Sequence, residues 1–259
     1  MSQKCPSILA AGKGRPAAQV CALSFEFKGG HVIPEHHHPE DQLVFASKGI
    51  MTIYTKEGMW VIPPLRAVWI PAGTPHRVAM TGSASMRTLY LRPRLISAMP
   101  RGCVVVNVSP LLRELILYAC SLSRLRLRVP AQRRIVALIA DMLKDARTAP
   151  LQLPLPSDAR ARRVADALIA EPGGNETLED LCKHSGASKR TIQRTFLAET
   201  NMHFGKWRQQ LRLLHALQLL NTGNKITNVA FDAGYDSPSA FIAMFKKQLG
   251  TTPRRYFAN

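Results

Sequence analysis

Three histidines carry the most specific chemistry in the sequence. His36 and His38 stand two residues apart, so on a strand both imidazoles project to one face, and His76 can join them from a second strand. A convergence of neutral nitrogen ligands makes a site for a divalent cation of the zinc, nickel, iron or manganese kind. Equally, the same histidines can line a small-molecule pocket, or be satisfied by hydrogen bonds, with no ion present. His37 alternates outward and belongs in solvent. Tyr54, Trp60 and Trp69 offer apolar walls for an aromatic effector, although rings at these spacings also serve as core; Glu40, Gln42 and Arg66 offer polar groups to fix a ligand.

A second constellation lies near the other end of the chain. Ser188 is placed to cap a helix on which Ile192 and Phe196 fall four apart on the inner face. Lys189, Arg190, Gln193 and Arg194 are then left facing outward, and these are residue types that contact phosphates or base edges, Arg suiting guanine and Gln suiting adenine. A solvated basic face would look the same on a single helix. Repetition argues against that reading, because Gly186 is answered by Gly234 and Ser188 by Ser237, which opens a second helix with Pro238 at its first position and Phe241, Phe245 and Leu249 inside. On that second helix Lys246 and Lys247 suit phosphate contacts, while Pro238, Ser239, Ile242 and Ala243 offer little base hydrogen bonding and suit methyl contacts to thymine.

The elements that must position these residues differ along the chain. Residues 18–106 alternate short apolar runs with Gly and Pro, the pattern of short strands in a sandwich or small barrel. From Pro110 the period becomes helical: Leu111, Leu112, Leu115 and Ile116, then Ile135, Leu138, Ile139 and Met142, predict two connecting helices. The proline-rich stretch 149–158 reads as a linker, and everything after Asp158 as helix. Thr177 with Asp180 three positions on predicts a capped helix ahead of Gly186. Phe204 to Leu220 predicts an amphipathic rod of about 25 Å between the two repeats. With helix thickness added, such a rod sets two recognition helices about 34 Å apart, one turn of B-DNA. The expected class is α+β in two domains, divided as 1–106 for the ligand-binding β-barrel, 107–156 for connecting and dimerisation helices with the linker, and 157–259 for the helix-turn-helix repeats.

Composition limits the function classes. The 259 residues suffice for about two domains, and 46% apolar content gives each a core. Thirty-five Lys+Arg against 17 Asp+Glu leave +18, which favours a polyanionic partner such as nucleic acid. Basic residues are spread over the whole chain, so charge alone does not locate the binding face. No apolar run approaches the ~18 residues of a membrane span. The N-terminal MSQKCPSILAAGKGR lacks the apolar core of a secretory signal, so a cytoplasmic location is expected. Cys5, Cys21, Cys103, Cys120 and Cys182 are odd in number and scattered, which predicts reduced thiols.

Two family resemblances rest on these residues. The stretch ITNVAFDAGYDSPSAFIAMFKKQLGTTPRRYF is similar to the signature of the AraC/XylS family of bacterial transcription regulators. The matches are at Ala230, Gly234, Tyr235, Ser237, Ser239, Phe241, Phe245, Lys246, Gly250, Thr252, Pro253 and Tyr256. The resemblance implies recognition helices from about Ser188 to Thr200 and from about Ser237 to Leu249. The family often has Arg where Ala243 stands, so the first helix is expected to carry most direct base readout. Gly30-x5-His36-x-His38-x3-Gln42-x6-Gly49 and Pro71-Ala72-Gly73-Thr74-Pro75-His76 resemble the two cupin motifs, with Gln42 where cupins have Glu. Loss of that carboxylate implies a weaker site or a softer ion. The span from His36 to His76 is similar to the sensor domain of the NimR-like subgroup of the AraC family.

These resemblances imply a DNA-binding transcription regulator, activator or repressor, that controls promoters in response to a small-molecule effector in its cupin domain. The implied partners are double-stranded DNA, the effector, a second copy of the chain and RNA polymerase. Two other classes compete: a metal-dependent cupin enzyme with a DNA-binding tail, and a non-specific architectural DNA protein. Gln42 and the absence of a placed general base argue against the enzyme; outward Arg190, Gln193 and Arg194 argue against the architectural protein.

Overall fold

A computed structural model describes residues 19–257; Cys5 and the N-terminal segment discussed above lie outside them. The chain divides into two bodies that are not sequential. Of the described residues, 19–51 and 65–149 form the first, and 52–64 join 150–257 in the second.

The first body is built on an antiparallel sheet. Its strands are β1 (Gln19–Phe27), β2 (Val32–His36), β3 (Asp41–Tyr54), β5 (Arg66–Ile70), β6 (His76–Leu91), β7 (Val104–Asn107) and β8 (Arg124–Arg126), with β4 (Gly58–Ile62) following β3 in the chain. The path runs β7-β5-β3-β6-β1-β8, and β2 pairs β6. Alternation then sorts the side chains. Leu43, Phe45, Ala67, Trp69, Leu89 and Leu91 point to one face and pack in a single cluster with Leu112, Ile116, Val136 and Ile139 from helices α1 (Pro110–Leu122) and α2 (Pro130–Lys144). Gln42, Val44, Val68, Thr88 and Tyr90 therefore point to the opposite face. Ser109 caps α1 by accepting from the Leu112 amide, and Pro110 and Pro130 open the two helices where a missing amide costs nothing.

Among the described residues the second body holds seven helices: α3 (Ala159–Ala170), α4 (Leu178–Ser185), α5 (Lys189–Thr200), α6 (Phe204–Asn221), α7 (Ile226–Asp232), α8 (Pro238–Leu249) and α9 (Pro253–Phe257). The proline-rich linker is not featureless. Its Gln152–Pro154 forms strand β9, which pairs antiparallel with β4 through Gly58↔Pro154, Met59↔Leu153 and Trp60↔Gln152. Pro154 is tolerated because it ends an edge strand. Long α6 fastens this ribbon: the Trp207 indole donates to Pro154 O at 2.7 Å, Gln210 Nε2 to Gln152 O at 3.3 Å, and Gln218 Nε2 to Thr52 Oγ1 at 2.9 Å. Phe196, wholly buried, stacks edge-on against Phe204 and Trp207 and makes the core beneath α5.

Candidate functional site

The three histidines meet. Their ligand nitrogens all lie within 4.8 Å of one another, with ring centroids 4.4 Å apart for His36–His76 and 4.8 Å for His36–His38. His36 ends β2 and faces His76 at the start of β6 across a register shift; His38 sits just beyond β2, not on the strand as its spacing predicted. His37 is exposed. Backbone bonds fix the rings, because His36 Nδ1 lies 2.6 Å from Pro34 O and His76 Nδ1 2.9 Å from Thr74 O. Those carbonyls only accept, so each Nδ1 carries the proton and each Nε2 presents a lone pair. The Nε2 atoms of His38 and His76 are buried without a partner. Burial, reinforced by the neighbouring imidazoles, lowers the His38 and His76 pKa values to about 4, so both are neutral at physiological pH.

Gln42 stands on the same side of the sheet. Its Nε2 donates to Thr88 Oγ1 at 3.0 Å, and two residues further along β6 the Tyr90 ring lies 5.0 Å from the His38 ring. Gln42 Oε1 is buried and unpartnered. Thr88 and Tyr90 carry no spacing signal and were not legible in the sequence. Neither was Asp41, whose carboxylate accepts from the Ala72 and Arg94 amides at 2.9 and 3.1 Å and so pins the loop that leads to His76. Gly73 N–H, donating to His38 O at 2.7 Å, ties the two histidine-bearing loops directly.

The other candidate effector residues are dispersed. Trp69 packs in the cluster beneath α1 and α2, on the sheet face away from Gln42. Trp60 is buried on β4 and, with Tyr54 at the end of β3, belongs to the second body. Arg66 opens β5 beside Asn107 and donates to Leu65 O, and Glu40 is buried at the edge of β3.

The helix-turn-helix segments take the form their caps predict. Thr177 and Asp180 close a reciprocal capping box on α4, and Gly186 ends that helix at φ +73°, a left-handed turn that favours glycine. Ser188 caps α5 by accepting from the Thr191 amide. On α5, Arg190, Gln193 and Arg194 are exposed; Lys189 is exposed too but is paired with Glu179. Ser237 caps α8, on which Ser239, Ala243, Lys246 and Lys247 are exposed. The rod between the segments, α6, has 18 residues, about 27 Å at the α-helical rise.

A sheet with a histidine cluster and buried polar groups on the face away from its helices, followed by two capped helix-turn-helix segments on one rod, defines a ligand-responsive DNA-binding regulator. Residues 19–168 match the AraC-like ligand binding domain and residues 181–259 a helix-turn-helix domain. The chain belongs to the AraC family of transcription regulators. It is 36% identical over 225 residues to the HTH-type transcriptional regulator NimR of Escherichia coli (strain K12), covering 87% of this chain and 82% of that protein. It is 35% identical over 103 residues to the HTH-type transcriptional regulator RipA of Corynebacterium glutamicum, covering 40% and 31%. Among solved structures, ToxT from Vibrio cholerae is similar over 95% of this chain and 96% of that one, at 13% identity and TM-score 0.39. The enzyme alternative finds no support in these relatives. No helix among the described residues is long and apolar enough to cross a membrane.

Proposed function

We propose that this regulator senses its effector at the three-histidine cluster and reads DNA chiefly with α5. The observation that carries the sensor half is the pair of buried, unpartnered Nε2 atoms on His38 and His76. The Thr74 carbonyl leaves His76 Nε2 as a bare lone pair, costly when buried, and His38 in its Nδ1–H tautomer offers a second that one divalent ion would satisfy at the same time. His36, His38 and His76 would hold such an ion, with Gln42 Oε1 as a fourth, neutral donor. The ion supplies Lewis acidity and a coordination position for an oxygen- or nitrogen-bearing effector. The protein's own contribution is orientation: Pro34 O and Thr74 O set the imidazole tautomers, and Thr88 holds the Gln42 amide.

On α5, Arg190, Gln193 and Arg194 read base edges while Ser188 and Lys189 contact phosphates; on α8, Lys246 and Lys247 contact phosphates and the exposed small face around Ser239 and Ala243 meets thymine methyls. Exposed Leu111 and Tyr118 on α1, joined by Leu138 on α2, make the face through which two copies pair. The chain works in the cytoplasm, alongside RNA polymerase, with residues 1–106 as sensor, 107–156 as connector and 157–259 as DNA reader. Elemental analysis of protein purified without affinity tag or chelator tests the sensor. About one ion per subunit, lost in His38→Ala together with effector response but not operator binding, is expected. Metal well below one per subunit in both the native chain and Gln42→Glu refutes the ion and leaves a metal-free pocket.

A further inference from the structure

Helix α6 carries two arginines one turn apart, on one face of the rod, that the DNA-reading faces do not use. Arg208 donates from Nη1 to Glu176 O and from Nη2 to Gly174 O, both at 2.6 Å. Arg212 donates from Nη2 to the same Gly174 O at 3.0 Å and from Nη1 to Gly234 O at 2.7 Å. Gly174 lies in the loop that leads into α4, whereas Gly234 is the turn between α7 and α8. One guanidinium therefore has an arm on each helix-turn-helix segment. Among the described residues neither arginine forms an ion pair, and the Nε atoms of both are buried without partners.

The glycines show how closely the segments meet at this point. A Cβ on Gly173 would lie 2.0 Å from Asp232 O, and one on Gly234, at φ +78°, would lie 2.7 Å from the Arg212 guanidinium and 2.8 Å from Gly173 O. Backbone from the first segment thus touches the turn of the second with no room for a side chain, and Arg212 closes the junction. Lysine, a single ammonium on a flexible stem, cannot span both carbonyls as the planar fork does.

We propose that Arg212, braced by Arg208, is a positioning residue that locks the two helix-turn-helix segments in one register, and so sets the spacing between half-sites that the chain accepts in DNA. The proposal rests on the reading that α5 and α8 both meet DNA.

The test uses the full chain and duplexes selected by it from a random pool, with binding followed by fluorescence anisotropy at fixed salt. Variants of the selected duplex carry one scrambled half-site or a spacer lengthened by a few base pairs. Arg212→Lys should bind the selected duplex about tenfold more weakly, the scale of one charge-assisted hydrogen bond. It should keep native affinity for duplexes with one half-site scrambled, and discriminate less between spacers. Gly173→Ala, which leaves the charge unchanged, should loosen spacer preference in the same way. Native spacer preference in both variants overturns the proposal, as does a parallel loss on full and half-scrambled duplexes, which would report damage to a single segment. If scrambling either half leaves the native chain's affinity unchanged, the two-helix reading itself fails and the lock with it.

Discussion

Replacing Gln42 by Glu puts the sensor site to its sharpest test, because the sign of the effect depends on whether an ion is bound. Gln42 is 3% exposed, and its bond to Thr88 can reverse in Gln42→Glu, the threonine hydroxyl rotating to donate. The shape is kept, so the cost in ion-free protein is that of burying a carboxylate beside imidazoles that burial keeps neutral, about 2–3 kcal/mol. A divalent ion turns that cost into a gain by taking the carboxylate as a ligand. At about a hundredfold excess over its Kd, an ion adds about 2.7 kcal/mol of stability. With about 2–4 °C per kcal/mol for a domain of this size, chelator-treated Gln42→Glu should melt roughly 5–10 °C below the native chain, and zinc should restore most of the loss. Calorimetric melts with and without zinc, paired with titration calorimetry for Kd, read both quantities. The variant should also bind zinc more tightly than the native chain. If saturating zinc moves the melting temperature of neither protein, the histidines hold no ion and the reasoning fails.

Arg194→Ala should weaken specific DNA binding by about 1–3 kcal/mol and relax sequence preference; unchanged discrimination between operator and random duplex would remove Arg194 from base reading. Lys246→Ala should weaken all duplexes alike and lower the slope of log affinity against log salt by about one. In ion-free protein, unfolded His76 takes up a proton near pH 6.5 whereas the folded residue resists until about pH 4. Stability should therefore hold above pH 6.5 and fall between there and pH 4, His76 contributing about 3 kcal/mol and His38, shifted the same way, adding to the loss, as urea unfolding at several pH values would show; a flat profile would refute the burial argument. Leu111→Glu with Tyr118→Glu should convert a dimer to a monomer in light scattering, and a native chain already monomeric at micromolar concentration would remove α1 as the pairing face.

The sequence by itself determined whatever depends on near neighbours. Both helix-turn-helix segments were legible because a cap, its helix and its glycine turn lie within a few residues: Thr177 with Asp180, Gly186 with Ser188, Gly234 with Ser237. The expected recognition helices from Ser188 and Ser237 coincide with α5 and α8 and their caps. The histidine motif was legible only in part: strands β2 and β6 bring His36 to His76 as expected, but His38 lies in the loop beyond β2, so a loop and not strand alternation turns it to the other two. Tertiary structure decided what depends on pairing across long separations. Thr88 became the partner of Gln42 only because β3 and β6 are neighbours, and β9 became a strand only because β4 offered it an edge. Trp69 and Gln42 both lie on strands, yet only the position of α1 and α2 settled which sheet face packs beneath the helices and which holds Gln42 and Thr88. Arg208 and Arg212 read as two more charges on an already basic rod. Their targets are backbone carbonyls, which every residue carries, so no residue type in the sequence marks Gly174 and Gly234 as acceptors until the fold places them there.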